Sequence, residues 1–171
     1  MMEKKNKQRI TVLGVGNILF TDEGFGVRVI EALLEHYVFP EDVSVVDGGV
    51  LGLRLLGVIS ESDRLIVVDA IRNGGKPGDL HRLNGEDIPA RIRAKNSLHQ
   101  VDFLETLAAA RAMDRVPEVV ILGVEPKDME TFGIELTPTV QRKIEPVMMR
   151  VLGELDCLGV SYRKRRSSVC V

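Results

Sequence analysis

The chain of 171 residues has little net charge: 23 Lys and Arg stand against 25 Asp and Glu, leaving −2 at pH 7. Nucleic-acid binding rests on neutralising phosphates with clustered cations, so no nucleic-acid partner is expected. Cysteine is scarce as well. Cys157 and Cys170 have neither the number nor the spacing of a disulfide framework or a zinc knuckle, which points to a reducing, cytoplasmic setting. No apolar run approaches the roughly 18 residues of a spanning helix, and no signal-peptide core follows the polar start from Met1 to Arg9, so no membrane is expected. A Gly-x-Ser-x-Gly elbow is missing and neither cysteine ends a predicted strand, which leaves no candidate covalent nucleophile. After Gly14-Val-Gly16 the third glycine of a dinucleotide-binding loop is also missing, because position 19 is Leu19. Without it the following helix cannot pack close to the strand in the usual way, and Asn17-Ile-Leu-Phe20 is bulky where a pyrophosphate would lie. A nucleotide cofactor is disfavoured.

What is present is the balance of an ordinary globular chain, with 44% apolar and 28% charged residues. The length fits one domain over 1–171, with a core of about 10–160. Ile10 to Val15 is a β-branched apolar run stopped by Gly16-Asn17, which predicts a buried strand and a tight loop. From Gly24 to Tyr37, Val27, Ile30, Leu33, Leu34 and Tyr37 recur at helical spacing. The unit repeats as a strand at Val43 to Val46, a helix-like segment from Leu51 to Ser60 and a strand from Arg64 to Val68 ending at Asp69. A short strand is expected at Asp79 to Leu83, irregular chain from Gly85 to Leu98, a helix from His99 to Met113 and a strand at Val119 to Leu122. A closing helix from Thr139 to Leu158 is kinked or delayed by Pro146. Strands alternating with helices predict an α/β fold: three layers, a mostly parallel twisted sheet of about five strands, helices on both faces.

In such sheets the ligand crevice lies outside the carboxyl ends of the strands. Glu23, Asp47 and Asp69 follow three successive strands there, together with the Glu125-Pro126 loop. If those strands are neighbours the carboxylates converge, and converging carboxylates call for a cation or a shared proton. His99, at a predicted loop-to-helix junction, would add an imidazole to two carboxylates, a set suited to nickel, zinc or a similar ion with a position left open. Blander roles stand beside these. Glu23 suits a helix N-terminus, Asp22 suits a cap, and Asp47 before Gly48-Gly49 suits a turn. His36 falls in the last turn of the first helix, where the helix dipole accounts for it, and His81 is expected on the solvent face of an edge strand.

The segment Leu13-Gly-Val-Gly-Asn-Ile-Leu-Phe-Thr-Asp-Glu-Gly-Phe-Gly-Val27 closely resembles the N-terminal signature of hydrogenase maturation endopeptidases. The likeness continues through Val46-Asp-Gly-Gly49, Leu65 to Ile71, Ser97-Leu-His-Gln100, Leu122-Gly-Val-Glu-Pro126 and Leu136-Thr-Pro-Thr139, in the order of that family. The resemblance implies an endopeptidase that removes the C-terminal extension of a nickel-iron hydrogenase large-subunit precursor after nickel insertion. It implies Glu23, Asp69 and His99 as metal-contacting and catalytic residues, with nickel carried by the substrate. Asp47 matches an acidic position near that site, where its role as orienter, base or turn support is open. The alternative from another class is a non-catalytic chaperone that holds nickel or the precursor without cutting.

Beyond the likeness lies 161–171, with basic residues from Arg163 to Arg166. A solvated, flexible tail is expected there, the other reading being a contact for an acidic partner.

Overall fold

The structure is a computed structural model and describes residues 8–50, 55–85, 105–106, 108–110 and 117–165. Strand β1 (Ile10–Val15) is followed by a 3-10 turn (Thr21–Gly24), helix α1 (Phe25–His36), β2 (Tyr37–Val38), β3 (Val43–Gly49), α2 (Leu56–Glu61) and β4 (Arg64–Ala70). Next come β5 (Leu80–Asn84), β6 (Glu118–Val124), α3 (Pro138–Gln141), α4 (Ile144–Cys157) and β7 (Arg163–Lys164). The main sheet has the order β3-β1-β4-β6-β5. Its first three pairings are parallel and only the β5–β6 edge is antiparallel. The expected α/β architecture with a mostly parallel five-stranded sheet is the observed one.

Every residue of β1 is buried, and so is β4 from Leu65 onward, as a central parallel strand covered on both sides requires. On one face α1 and α4 lay Phe25, Ile30 and Leu33 with Val151, Leu152 and Leu155 against Val12, Ile66 and Val68. On the other face Leu55, Ile59 and Ala110 cover Leu13, Leu65, Val67 and Ile121. No helix among the described residues is long and apolar enough to cross a membrane.

Two expectations change, and a third falls mostly outside the described residues. The closing helix divides: Thr137, extended, precedes Pro138 in the first turn of α3, and α4 starts afresh at Ile144. Pro146 thereby falls in the first turn of α4, where its missing N–H leaves no intrahelical acceptor unmet. The expected helix from 99 to 113 is described only at 105–106 and 108–110, which are helical. The flexible tail expected from Ser161 is corrected over its first five residues. Arg163 and Lys164 pair antiparallel with Val38 and Tyr37, and the Arg165 N–H donates to the His36 carbonyl at 2.8 Å. Arg165 Nε also reaches the Leu34 carbonyl at 2.8 Å, so a basic side chain meets the unpaired carbonyls that end α1. Tyr162 packs edge-on to Tyr37 with centroids 5.6 Å apart, and this burial raises its hydroxyl pKa. A basic run thus reads as solvated in sequence, while the aromatic before it and the helix end beside it anchor it.

Candidate active site

From its carboxyl end β1 sends the chain through α1 to β3 on one side, whereas β4 sends it on to β5 and β6 on the other. Where neighbouring strands send the chain in opposite directions a crevice opens at their carboxyl ends, here between β1 and β4. Glu23 lies in the loop that leaves β1, and Asp69 is the penultimate residue of β4. The two therefore flank the divergence, and the 3-10 turn carrying Glu23 contacts β4.

Glycines set how closely the loop and helix approach the sheet. Gly16 has φ +136°, and a Cβ there would lie 1.9 Å from the Glu23 carbonyl oxygen, so the turn bearing Glu23 rests directly on the end of β1. A Cβ on Gly26 would lie 2.2 Å from the Val68 carbonyl oxygen and 2.3 Å from that of Val15. The close helix-to-strand approach that Leu19 was expected to prevent is achieved by Gly26 instead, in the first turn of α1.

Asp69 is buried, and its Oδ1 accepts the Ala70 N–H at 2.8 Å, which sets the orientation of the carboxylate. Asp47 is placed differently. The register aligns Asp47 and Val68 with Gly14, and partners in register share a face, so Asp47 and Asp69 leave the sheet on opposite faces. Asp47 is exposed and its Oδ1 accepts the Gly49 N–H at 2.9 Å, closing the turn after β3. His99 lies outside the described residues. Among the described residues no group of three His, Cys, Asp or Glu side chains is gathered to hold a metal ion.

Asp22 makes neither helix cap: the 3-10 turn and α1 both begin without a side-chain cap. It is fully buried, and its Oδ2 accepts the N–H groups of Lys127 and Asp128 at 2.8 and 2.9 Å and the Thr137 hydroxyl at 3.0 Å. Its Oδ1 accepts the Thr137 N–H at 2.7 Å. One carboxylate thus ties the segment after β6 to the turn that carries Glu23. Asp128, in that segment, has its pKa lowered to about 2 by the Thr131 side chain and by the Thr131 and Glu130 N–H groups.

His81 is corrected as well. It stands on the edge strand β5, yet its side chain is only 13% exposed, because Nε2 lies 2.9 Å from Oε2 of buried Glu125. Glu125 also accepts the Asn73 N–H at 2.7 Å and the Gly74 N–H at 3.3 Å, holding the loop that leaves β4 just past Asp69.

A family model described as hydrogenase maturation protease matches residues 27–154. Hydrogenase 2 maturation protease of Escherichia coli strain K12 is 44% identical over 161 residues, covering 93% of this chain and 98% of that protein. The chain belongs to the hydrogenase maturation protease family. Hydrogenase expression/formation protein HupD of Bradyrhizobium diazoefficiens is 41% identical over 167 residues, 96% of this chain and 87% of that protein. The solved structure of the hydrogenase maturating endopeptidase HybD from E. coli matches with a TM-score of 0.87 at 43% identity, over 92% of this chain and 98% of that one. The chain is therefore a peptidase of hydrogenase maturation.

Of the residues that shape the crevice of this protease, sequence reasoning missed the roles of Asp22, Glu125 and His81. Asp22 was expected to cap a helix, whereas its donors are more than a hundred positions away. Glu125 was marked by following a strand, but nothing local pairs it with His81, 44 residues earlier.

Proposed function

We propose that this protease removes a C-terminal extension from the large-subunit precursor of a nickel-iron hydrogenase after nickel has been inserted, reading the precursor-bound ion through Glu23, Asp69 and His99. The observation that supports this is the position of Glu23 and Asp69 on the two sides of the divergence between β1 and β4. His99 enters on the sequence resemblance alone. Two carboxylates and an imidazole suit nickel among divalent ions, and the ion arrives with the substrate, its remaining positions held by precursor groups.

Held by Glu23, Asp69 and His99, nickel would supply Lewis-acid polarisation of the scissile carbonyl, and a carboxylate beside it would serve to activate the attacking water. Water adds to the carbonyl carbon, the amide nitrogen takes a proton, and rupture of the C–N bond releases the extension. The Ala70 N–H on Asp69 Oδ1 fixes the carboxylate that meets the ion, as a supporting hydrogen bond does in metal sites generally. Asp47, on the other face and bound to the Gly49 N–H, serves the turn rather than the chemistry.

Incubating the protein with nickel-loaded and nickel-free precursor and weighing the large subunit by mass spectrometry tests this. Only the loaded precursor should lose its extension. Asp69→Asn and His99→Ala should abolish release by at least about a hundredfold while precursor still binds. Equal trimming of both precursor forms removes nickel as the gate. If the native protein releases no extension, a chaperone that binds without cutting replaces the peptidase reading.

A further inference from the structure

The loop after β1 and the segment after β6 meet in a rim of outward-facing apolar side chains. Ile18, Leu19, Phe132 and Ile134 are 40, 45, 72 and 61% exposed. Isolated exposed apolar residues are ordinary, but a contiguous patch on one rim marks a contact surface. This one is also firmly built. The Gly133 N–H donates to the Leu19 carbonyl at 2.9 Å, and the Leu19 N–H donates to Asn17 Oδ1 at 3.0 Å. The Phe132 ring stands edge-on to Phe20 with centroids 5.8 Å apart, and Arg28 Nη2 donates to the Ile134 carbonyl at 2.9 Å. Beneath them the Asp22 carboxylate and the Thr21 hydroxyl, which donates to the Asp128 carbonyl at 2.6 Å, join the two segments. The apolar groups are thus held outward by backbone and buried polar bonds, so a partner meets them with little ordering cost.

The rim also adjoins the candidate cleavage crevice. A Cβ placed on Gly24 would lie 3.0 Å from the Ile18 Cα, so the apolar loop abuts the turn that carries Glu23. A peptidase must hold a polypeptide beside the bond it cuts, and this surface adjoins the turn that carries Glu23. The charges around it are mixed: Asp128, Glu130 and Glu135 flank 132–134 in sequence, with Arg72 paired to Glu130 at 3.3 Å and Arg28 bound at the Ile134 carbonyl. Resting on the reading of Glu23 as a contact at the cleavage site, we propose that the rim of Ile18, Leu19, Phe132 and Ile134 docks an extended apolar segment of the precursor next to the scissile bond. Phe132 is the anchor, the aromatic residue of the patch and its most exposed member.

The test uses Phe132→Ser, Leu19→Ser and the double variant of the full chain. Phe132 is 72% and Leu19 45% exposed, so thermal melts should stay near that of the native protein. Binding of uncut nickel-loaded precursor is measured by titration calorimetry, and kcat and KM by the release of the extension. The double variant should raise Kd and KM about tenfold or more while kcat stays within about twofold. An unchanged Kd in folded variants overturns the proposal. So does the finding, by sedimentation, that native protein self-associates and Phe132→Ser makes it monomeric with Kd for precursor unaltered, since the rim would then cover a second copy of this chain. Failure of the nickel reading is separable: native protein that trims nickel-free precursor equally well, but whose rim variants lose affinity, retains the docking surface without the nickel gate.

Discussion

Asp22, at the carboxyl end of the sheet, has four donors meeting one side chain with no exposure to water. Asp22→Asn keeps the shape but turns one acceptor oxygen into an N–H donor pointed at other donors. Hydrogen bonds to a charged group contribute about 1.5–3 kcal/mol each, and a buried clash of donors adds to the loss, so a stability drop of about 2–4 kcal/mol is expected in urea unfolding. A drop below about 0.5 kcal/mol would remove Asp22 as the tie between the two segments. Asp128 gives a prediction in pH. Its pKa is held at about 2, against an ordinary 3.8, first by the Thr131 side chain and then by two N–H groups. A depressed carboxyl pKa means that its contribution to stability is present above the unfolded value and is lost as pH falls from 3.8 toward 2. Carboxyl NMR titration should follow this midpoint. Thr131→Ala should move it upward but short of 3.8, because the Glu130 and Thr131 N–H groups remain.

Among the elements, α1 decides the shape of the crevice through one missing side chain. Gly26 lets the first turn of the helix sit against the Val15 and Val68 carbonyls, where any Cβ would overlap backbone rather than a side chain able to swing away. Gly26→Ala must therefore lift the helix end, and Glu23 with it. Overpacking of this kind costs about 1–3 kcal/mol, so the melting temperature should fall and trimming activity should fall further than the lost stability explains. A variant of native stability and activity would mean that the helix tolerates the shift. The pairing of β7 with β2 shows the opposite economy of sequence: two residues from each segment suffice, because Tyr162 and Arg165 fasten the chain on either side of them.

At the scale of the molecule, β1 and β4 have hydrogen-bonded neighbours on both sides and packed layers on both faces, while β5 and the β2–β7 pair lie at edges. Amide exchange should be slowest in β1 and β4 and fastest in β2, β7 and β5. Comparable protection in β7 and β1 would contradict a stability graded from the centre outward. The crevice lies at the protected centre of the sheet, whereas the apolar rim stands on loops, so the carboxylates have a rigid base and the docking surface is the part open to adaptation.

The strands and main helices were legible in the residues because their apolar spacing is local: β1 is a six-residue run in which four residues are β-branched, and Val27, Ile30 and Leu33 lie on the buried face of α1. The candidate acids Glu23 and Asp69 were legible for the same reason, each marked by the end of a strand a few positions away. Strand order, face and long-range pairing were not, because they depend on contacts between segments that share no local pattern. Folding put Asp47 and Asp69 on opposite faces through the register with Gly14, brought Thr137 to Asp22, turned His81 inward to Glu125 and tied Arg165 to the end of α1. Period and composition are properties of neighbours along the chain, whereas a site is a property of neighbours across it.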